Sequence, residues 1–227
     1  MIPVVAGLVV SVITVQLGNW QLRRADEKIE IQTKVEHFAA TEPTRVTDDA
    51  PDPEEWERVR ITGAWEPGAV MYYDNRVHEG RPGYQILMPV EIGAGDWVLV
   101  NRGWIAAGRD RNALPDIAPP EGSADVSGIA WVPEQEPFSL TDTPNDGLRW
   151  QYIDLDAYRA WSGLPVRNWV LRQYSDSPDG LVRDWIAPEV GIDRHRGYAL
   201  QWYSLAALAA ALTGFYVFRS FRKHDEK

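Results

Sequence analysis

The chain has 227 residues, a formal net charge of −10 and no cysteine. The missing thiols exclude disulfides, thiolate metal sites, thioether-linked cofactors and Cys-based copper transfer. Residues 23–197 hold 19 basic and 31 acidic residues, a net of −12, so nucleic acid is excluded as a natural partner. Seventeen of those 19 basic residues are arginine, whose planar fork suits paired or partly buried positions.

The first predicted element is a membrane span over 1–22. Residues 2–17 are almost wholly apolar and the first charge is Arg23. A secretory signal would carry a basic leading region and a small-residue cleavage site. Neither is present, so the segment reads as a retained anchor with Trp20 at headgroup level. A helical stem is expected over 23–40, where Glu27, Lys28 and Glu30 are good helix formers. Residues 41–193 then form a mostly β domain. A polar stretch with Pro43, Pro51 and Pro53 precedes Arg58-Val59-Arg60-Ile61-Thr62, whose strict alternation predicts a half-buried strand. Segments 69–75, 84–91, 96–102, 124–132 and 166–174 are strand-like by their β-branched and aromatic content. Gly93-Ala94-Gly95-Asp96 suits a hairpin turn, and Asn75-Arg76 and Arg81-Pro82-Gly83-Tyr84 read as turn chemistry. A helix is predicted over 154–161 from the spacing of Leu155, Tyr158 and Trp161 behind an acidic start.

A second span is predicted over 194–218, followed by a short tail at 219–227. Residues 198–218 contain no charge and are long enough to cross a bilayer, which takes about 20 helical residues. The fold expected is therefore a membrane-anchored α+β chain. Two transmembrane helices flank one mostly antiparallel β domain, a sandwich or a partly open barrel. Both termini lie on one side of the membrane. Local charge does not choose the side, because Arg219, Arg222 and Lys223 are matched by Arg23, Arg24, Lys28, Arg194 and Arg196 at the other ends of the spans.

No nucleophile elbow, phosphate loop, dinucleotide fingerprint or paired-histidine zinc motif occurs, and the four histidines (37, 78, 195, 224) are scattered. The chain is accordingly read as a non-enzyme. Asn101-Arg102-Gly103-Trp104 ends an apolar strand. Gly103 permits a bulge or a close backbone approach, and Arg102 is expected to pair with a nearby carboxylate rather than a ligand. The densest constellation is Arg194-His195-Arg196-Gly197-Tyr198 at the mouth of the second span. On a helix His195, Tyr198 and Trp202 share a face, and Trp20, Gln21, Arg23 and Arg24 sit at the matching end of the first span. Two readings stay open: ordinary interfacial anchoring, or a haem site. In the second reading His195 is a ligand to haem iron, Tyr198, Trp202 and Trp20 line the macrocycle, and Arg24 or Arg196 meets a propionate.

Several motifs in fixed order resemble the Surfeit locus protein 1 family. They are Leu17-Gly18-Asn19-Trp20-Gln21-Leu22-Arg23, Val59-Arg60-Ile61-Thr62-Gly63, Arg81-Pro82-Gly83-Tyr84, Val98 to Ile105, and His195-x-x-Tyr198-Ala199-x-Gln201-Trp202. The resemblance covers nearly the whole chain and implies an assembly factor for haem-copper cytochrome oxidase. It implies haem a as bound cargo on His195, with Trp20 as a family position. Cytochrome oxidase subunit I is the implied recipient, with haem a synthase and membrane lipid as further partners. It further implies a bacterial inner membrane, a periplasmic β domain and cytoplasmic termini. An interaction protein that stabilises subunit I or the haem synthase without binding haem is the alternative. Two features depart from the family pattern: no basic residue precedes the first span, so a start upstream is expected, and the segment before the last span is brief.

Overall fold

The computed structural model describes residues 2–110, 113–120, 122–133, 143–185 and 191–225. The chain separates into a helical unit, Met1–Lys34 with Ala187–Lys227, and a β unit, Val35–Ile186.

The helical unit holds all but the last residues of α1 (Ile2–Ala39) together with α3 (Ile192–Asp225); a shorter α2 lies between them in sequence. Both are long and apolar enough to cross a membrane. Within α1 the hydroxyls of Ser11 and Thr14 return to the carbonyls of Gly7 and Val10 at 2.9 and 2.8 Å, so neither is left unpaired in apolar surroundings. The shielded positions of α1 include Gly7, Ser11, Thr14, Gly18, Gln21 and Ala25, a series alternating four and three residues apart. Those of α3 include His195, Ala199, Trp202, Ala206, Ala209 and Thr213. This is the seam of two helices packed at a shallow angle. They run antiparallel: a Cβ on Gly18 would stand 2.7 Å from the Tyr203 ring, and one on Gly7 only 1.9 Å from Thr213 Oγ1. Glycine at these points lets the backbones approach, which is how helices associate where lipid removes the hydrophobic drive. Away from the seam, Val5, Leu8, Val9, Val12, Leu200, Leu208, Leu212 and Phe215 are exposed, an outer surface suited to hydrocarbon.

The β unit is built on a closed ring. β2 (Arg58–Trp65), β6 (Ala124–Trp131), β9 (Val166–Gln173), β5 (Asp96–Ala106) and β4 (Arg81–Gly93) pair in that order, and β4 returns to β2. The barrel of the two expected architectures is thus realised, and its ring is closed. The two short strands β1 (Thr44–Arg45) and β8 (Arg149–Trp150) join β2 and β3 (Met71–His78) in parallel, while β7 (Asn145–Asp146) extends β8. β5 and β9 also pair in parallel. Closure depends on β4, whose one edge is shared by β3 up to Leu87 and by β2 from Val90. Pro89 sits where the partner changes, so its missing N–H costs no ladder bond. Gly63 lets β2 cross β4 there, since a Cβ would fall 1.9 Å from the Glu91 carbonyl oxygen.

Val59, Ile61, Val98, Val100, Val126, Trp169 and Leu171 fill the ring interior. On the opposite face Leu99, Val170, Met71 and Leu87 pack beneath Trp150 and Tyr158. Tyr158 belongs to α2 (Leu155–Ser162), which Asp154 caps by accepting from Ala157 N at 2.9 Å and which ends on Gly163 at φ 72°. β5 is buried on both faces from Val98 to Trp104, which explains the unbroken apolar run Trp97–Val100 at its start.

Two of the expected turns are corrected. Arg81–Tyr84 lies inside β4; the reversal is Glu79-Gly80, both at positive φ (47° and 74°), the signature of a tight hairpin. Pro82 is tolerated because β5 joins only at Gly83, and its carbonyl accepts from Ala107 N at 3.0 Å. Asn75-Arg76 is a bulge within β3, with Asn75 at φ 58°. The Gly93–Asp96 hairpin forms where expected.

Candidate functional site

His195 lies in the first turn of α3 and Gln21 on the seam face of α1. His195 Nδ1 stands 2.7 Å from Gln21 Oε1. An amide oxygen only accepts, so Nδ1 carries the hydrogen and donates it. In the neutral ring the lone pair then resides on Nε2, the state and orientation a metal-binding histidine needs. Gln21 is buried and His195 half-buried, so the contact is sheltered from bulk water. Tyr203 fixes the same helix pair one step further along, donating its hydroxyl to Asn19 Oδ1 at 2.7 Å.

Of the residues expected around His195, Trp202 is half-buried on the seam side of α3. Tyr198 and Trp20 are each 45 % exposed and present their rings outward on α3 and α1. Arg24 is exposed and bonded to Glu27 at 2.7 Å, an exposed ion pair that exchanges at little cost. Arg196 is exposed. The structure therefore brings His195 to Gln21, with aromatic rings and cations displayed on the two helices at the same end. The role of Gln21 as the direct partner is more than the helical face of α3 alone disclosed. Its signal is the three-four spacing of small and polar residues from Gly7 to Ala25, which marks Gln21 as a seam position.

In the β unit, Arg102 pairs with a carboxylate as expected. The register of β4 on β5 jumps from Ile86↔Gly103 to Leu87↔Asn101, leaving Arg102 as the extra residue of a bulge. Gly103 adopts φ 139°, a region only glycine enters freely, and a Cβ there would meet the Val182 oxygen at 2.8 Å. The bulge turns Arg102 into the protein, where it is 1 % exposed and bonds Asp179 at 3.0 Å. Arg183 bonds the same carboxylate at 2.5 Å. Burial pushes the Asp179 carboxyl up, but the hydrogen bond from Arg183 and the two guanidinium charges outweigh it and hold it below the usual carboxylate range. Burial lowers the Arg102 guanidinium while Asp179 opposes the shift.

The SURF1 family model matches residues 8–207. The chain is 26% identical over 222 residues to a SURF1-like protein of Monosiga brevicollis, covering 92% of this chain and 85% of that one. It is 24% identical over 224 residues to Surfeit locus protein 1 of Homo sapiens, with 90% and 74% coverage. It is 28% identical over 190 residues to the cytochrome oxidase assembly protein SHY1 of Saccharomyces cerevisiae, covering 77% of this chain and 48% of that protein.

Proposed function

The chain belongs to the SURF1 family, and on that premise we propose that it serves cytochrome oxidase assembly by carrying haem a on its helical unit, with His195 as an axial ligand to the iron. The observation that supports this reading most is the 2.7 Å contact between His195 Nδ1 and Gln21 Oε1. An interfacial anchor needs no fixed tautomer. A ligand does, and second-shell acceptors of this kind orient the ring and raise its basicity. Trp20, Tyr198 and Trp202 supply flat apolar surface for a macrocycle. Arg24 and Arg196 supply cations for its carboxylates, and freeing Arg24 from Glu27 costs little. The cargo's iron accepts the Nε2 lone pair when bound; the protein's part is to hold and orient.

In this reading the helices sit in a bacterial inner membrane, the β unit lies in the periplasm and both termini are cytoplasmic. Haem a comes from its synthase and passes to oxidase subunit I. The test is a visible spectrum of the full chain purified from membranes that make haem a, beside His195→Ala. The expected result is haem in the parent and loss of occupancy in the variant. Equal occupancy and an unchanged spectrum in His195→Ala would overturn the ligand assignment. Haem-free protein that co-purifies with oxidase subunits would leave an assembly role by contact alone.

A further inference from the structure

The closed ring has a mouth where β2 ends, β6 begins and β9 ends, and a cavity of about 440 Å³ opens there. Arg102 and Gln173 line it together with Trp65, Asp176 and the Pro119-Pro120 segment. Barrel mouths commonly seat small ligands, and this volume falls in the range such sites occupy.

The polar groups of the cavity differ in what they have left to offer. Arg102 directs its guanidinium to Asp179 at 3.0 Å, to Met88 Sδ at 3.9 Å and across the Trp65 ring at 5.3 Å. Gln173 is 4 % exposed and donates Nε2 to the Ser175 carbonyl at 2.9 Å. Its Oε1 is buried and has no hydrogen-bond partner among the described residues. That oxygen is enclosed by protein and does not face the cavity. Asp176 is exposed at the rim and has no ion-pair partner among the described residues. Of the other carboxylates that line the cavity, Asp125 bonds Arg60 and Asp179 bonds Arg102 and Arg183, so the lining is net acidic with Asp176 left to offer its charge, and an indole ring forms part of the wall. The surrounding chain is strongly acidic, which draws cations toward it.

We propose that this cavity takes a ligand bearing a cationic hydrogen-bond donor, an ammonium or guanidinium. Asp176 is the acceptor and Trp65 is the aromatic wall. The site is separate from His195 and stands or falls independently of the haem reading.

The full chain in detergent micelles is titrated with N-acetyl-argininamide, N-acetyl-lysinamide and the amide of N-acetyl-glutamate. The readout is the fluorescence difference between the parent and its Trp65→Phe variant. Saturable quenching by the two cationic probes, with none by the anionic one, is expected. Asp176→Asn, an exposed change that leaves the fold intact by near-UV circular dichroism, weakens binding about 10-fold. Tighter binding of a short peptide with an internal arginine points to a basic side chain of a partner protein; equal binding points to a free small cation. The proposal is overturned by absence of saturation, by an equal response to the anionic probe, or by an Asp176→Asn titration that matches the parent.

Discussion

Gly18→Ala adds one methyl group at a close approach of the helix seam, against the Tyr203 ring. The new Cβ would lie 2.7, 2.9 and 3.0 Å from three atoms of the Tyr203 ring. That ring cannot swing aside, because its hydroxyl is held by Asn19 at 2.7 Å. Carbon atoms rest at about 3.5–4.0 Å, so the two helices must part by roughly 1 Å at this level. Gln21 is three residues on, about 4.5 Å along the axis, and moves with Gly18. A parting of roughly 1 Å carries the 2.7 Å contact of His195 Nδ1 with Gln21 past the outer limit of about 3.2 Å for such bonds. The variant should therefore release the imidazole from its single tautomer. Nitrogen-15 spectra of histidine-labelled protein in micelles read this directly. The parent should show one His195 signal set with a protonated Nδ1, and Gly18→Ala should show the averaged shifts of a mixed tautomer. Gly197→Ala is the control, since a Cβ there has nothing within 4 Å. An unchanged His195 signal in Gly18→Ala, or the same change in Gly197→Ala, would refute the claim that close packing of the seam sets the imidazole.

Further outcomes follow from the β unit. Asp179→Asn leaves Arg102 and Arg183 without their shared counter-charge and should cost about 3–5 kcal/mol in denaturant unfolding at neutral pH. The pH dependence has a definite sign. The Asp179 carboxyl titrates below its unfolded value of 3.8, so its stabilisation is complete above that pH and disappears as pH falls through the lower folded value. Stability should drop more steeply below about pH 4 in the parent than in Asp179→Asn, and equal slopes would count against the assignment. Tyr158 donates its hydroxyl to the buried Ala69 carbonyl at 2.5 Å, and burial pushes that hydroxyl's pKa up. Tyr158→Phe keeps the ring and orphans the carbonyl, for an expected loss of about 1–3 kcal/mol in the same assay. A loss near zero would show that another donor reaches Ala69.

The membrane-facing and sheet-forming segments were legible because their signals are local. An uncharged run from Tyr198 to Phe218 can be read without knowing its neighbours, and so can the alternation of Arg58 to Thr62. The helix behind Asp154 carries its own cap. The turns at Arg81–Tyr84 and Asn75-Arg76 were misread for the opposite reason. Proline marks a break only where the strand beside it needs its N–H, which β5 does not at Pro82, and Gly83 lies within the strand because a Cβ there would meet the Ile105 oxygen at 2.2 Å. The short strands β1, β7 and β8 carry too few residues for any period and exist through their partners.

The candidate sites divide in the same way. The sequence alone showed a histidine at the mouth of a span, aromatic residues and arginines at matching depth, and an arginine ending an apolar strand. Gln21 meets His195 across 174 residues, and Arg102 meets Asp179 across 77. Whether an imidazole is an anchor or a ligand depends on what its second nitrogen touches, and which carboxylate neutralises a buried guanidinium depends on where a bulge turns it. The return of β4 to β2, the parallel pairing of β5 with β9 and the cavity at the barrel mouth are of the same kind. Periodicity and composition act over a few residues and determine which elements form and which faces they bury. Pairing, closure and the partner of each polar atom are set only when distant segments come to share one core or one seam.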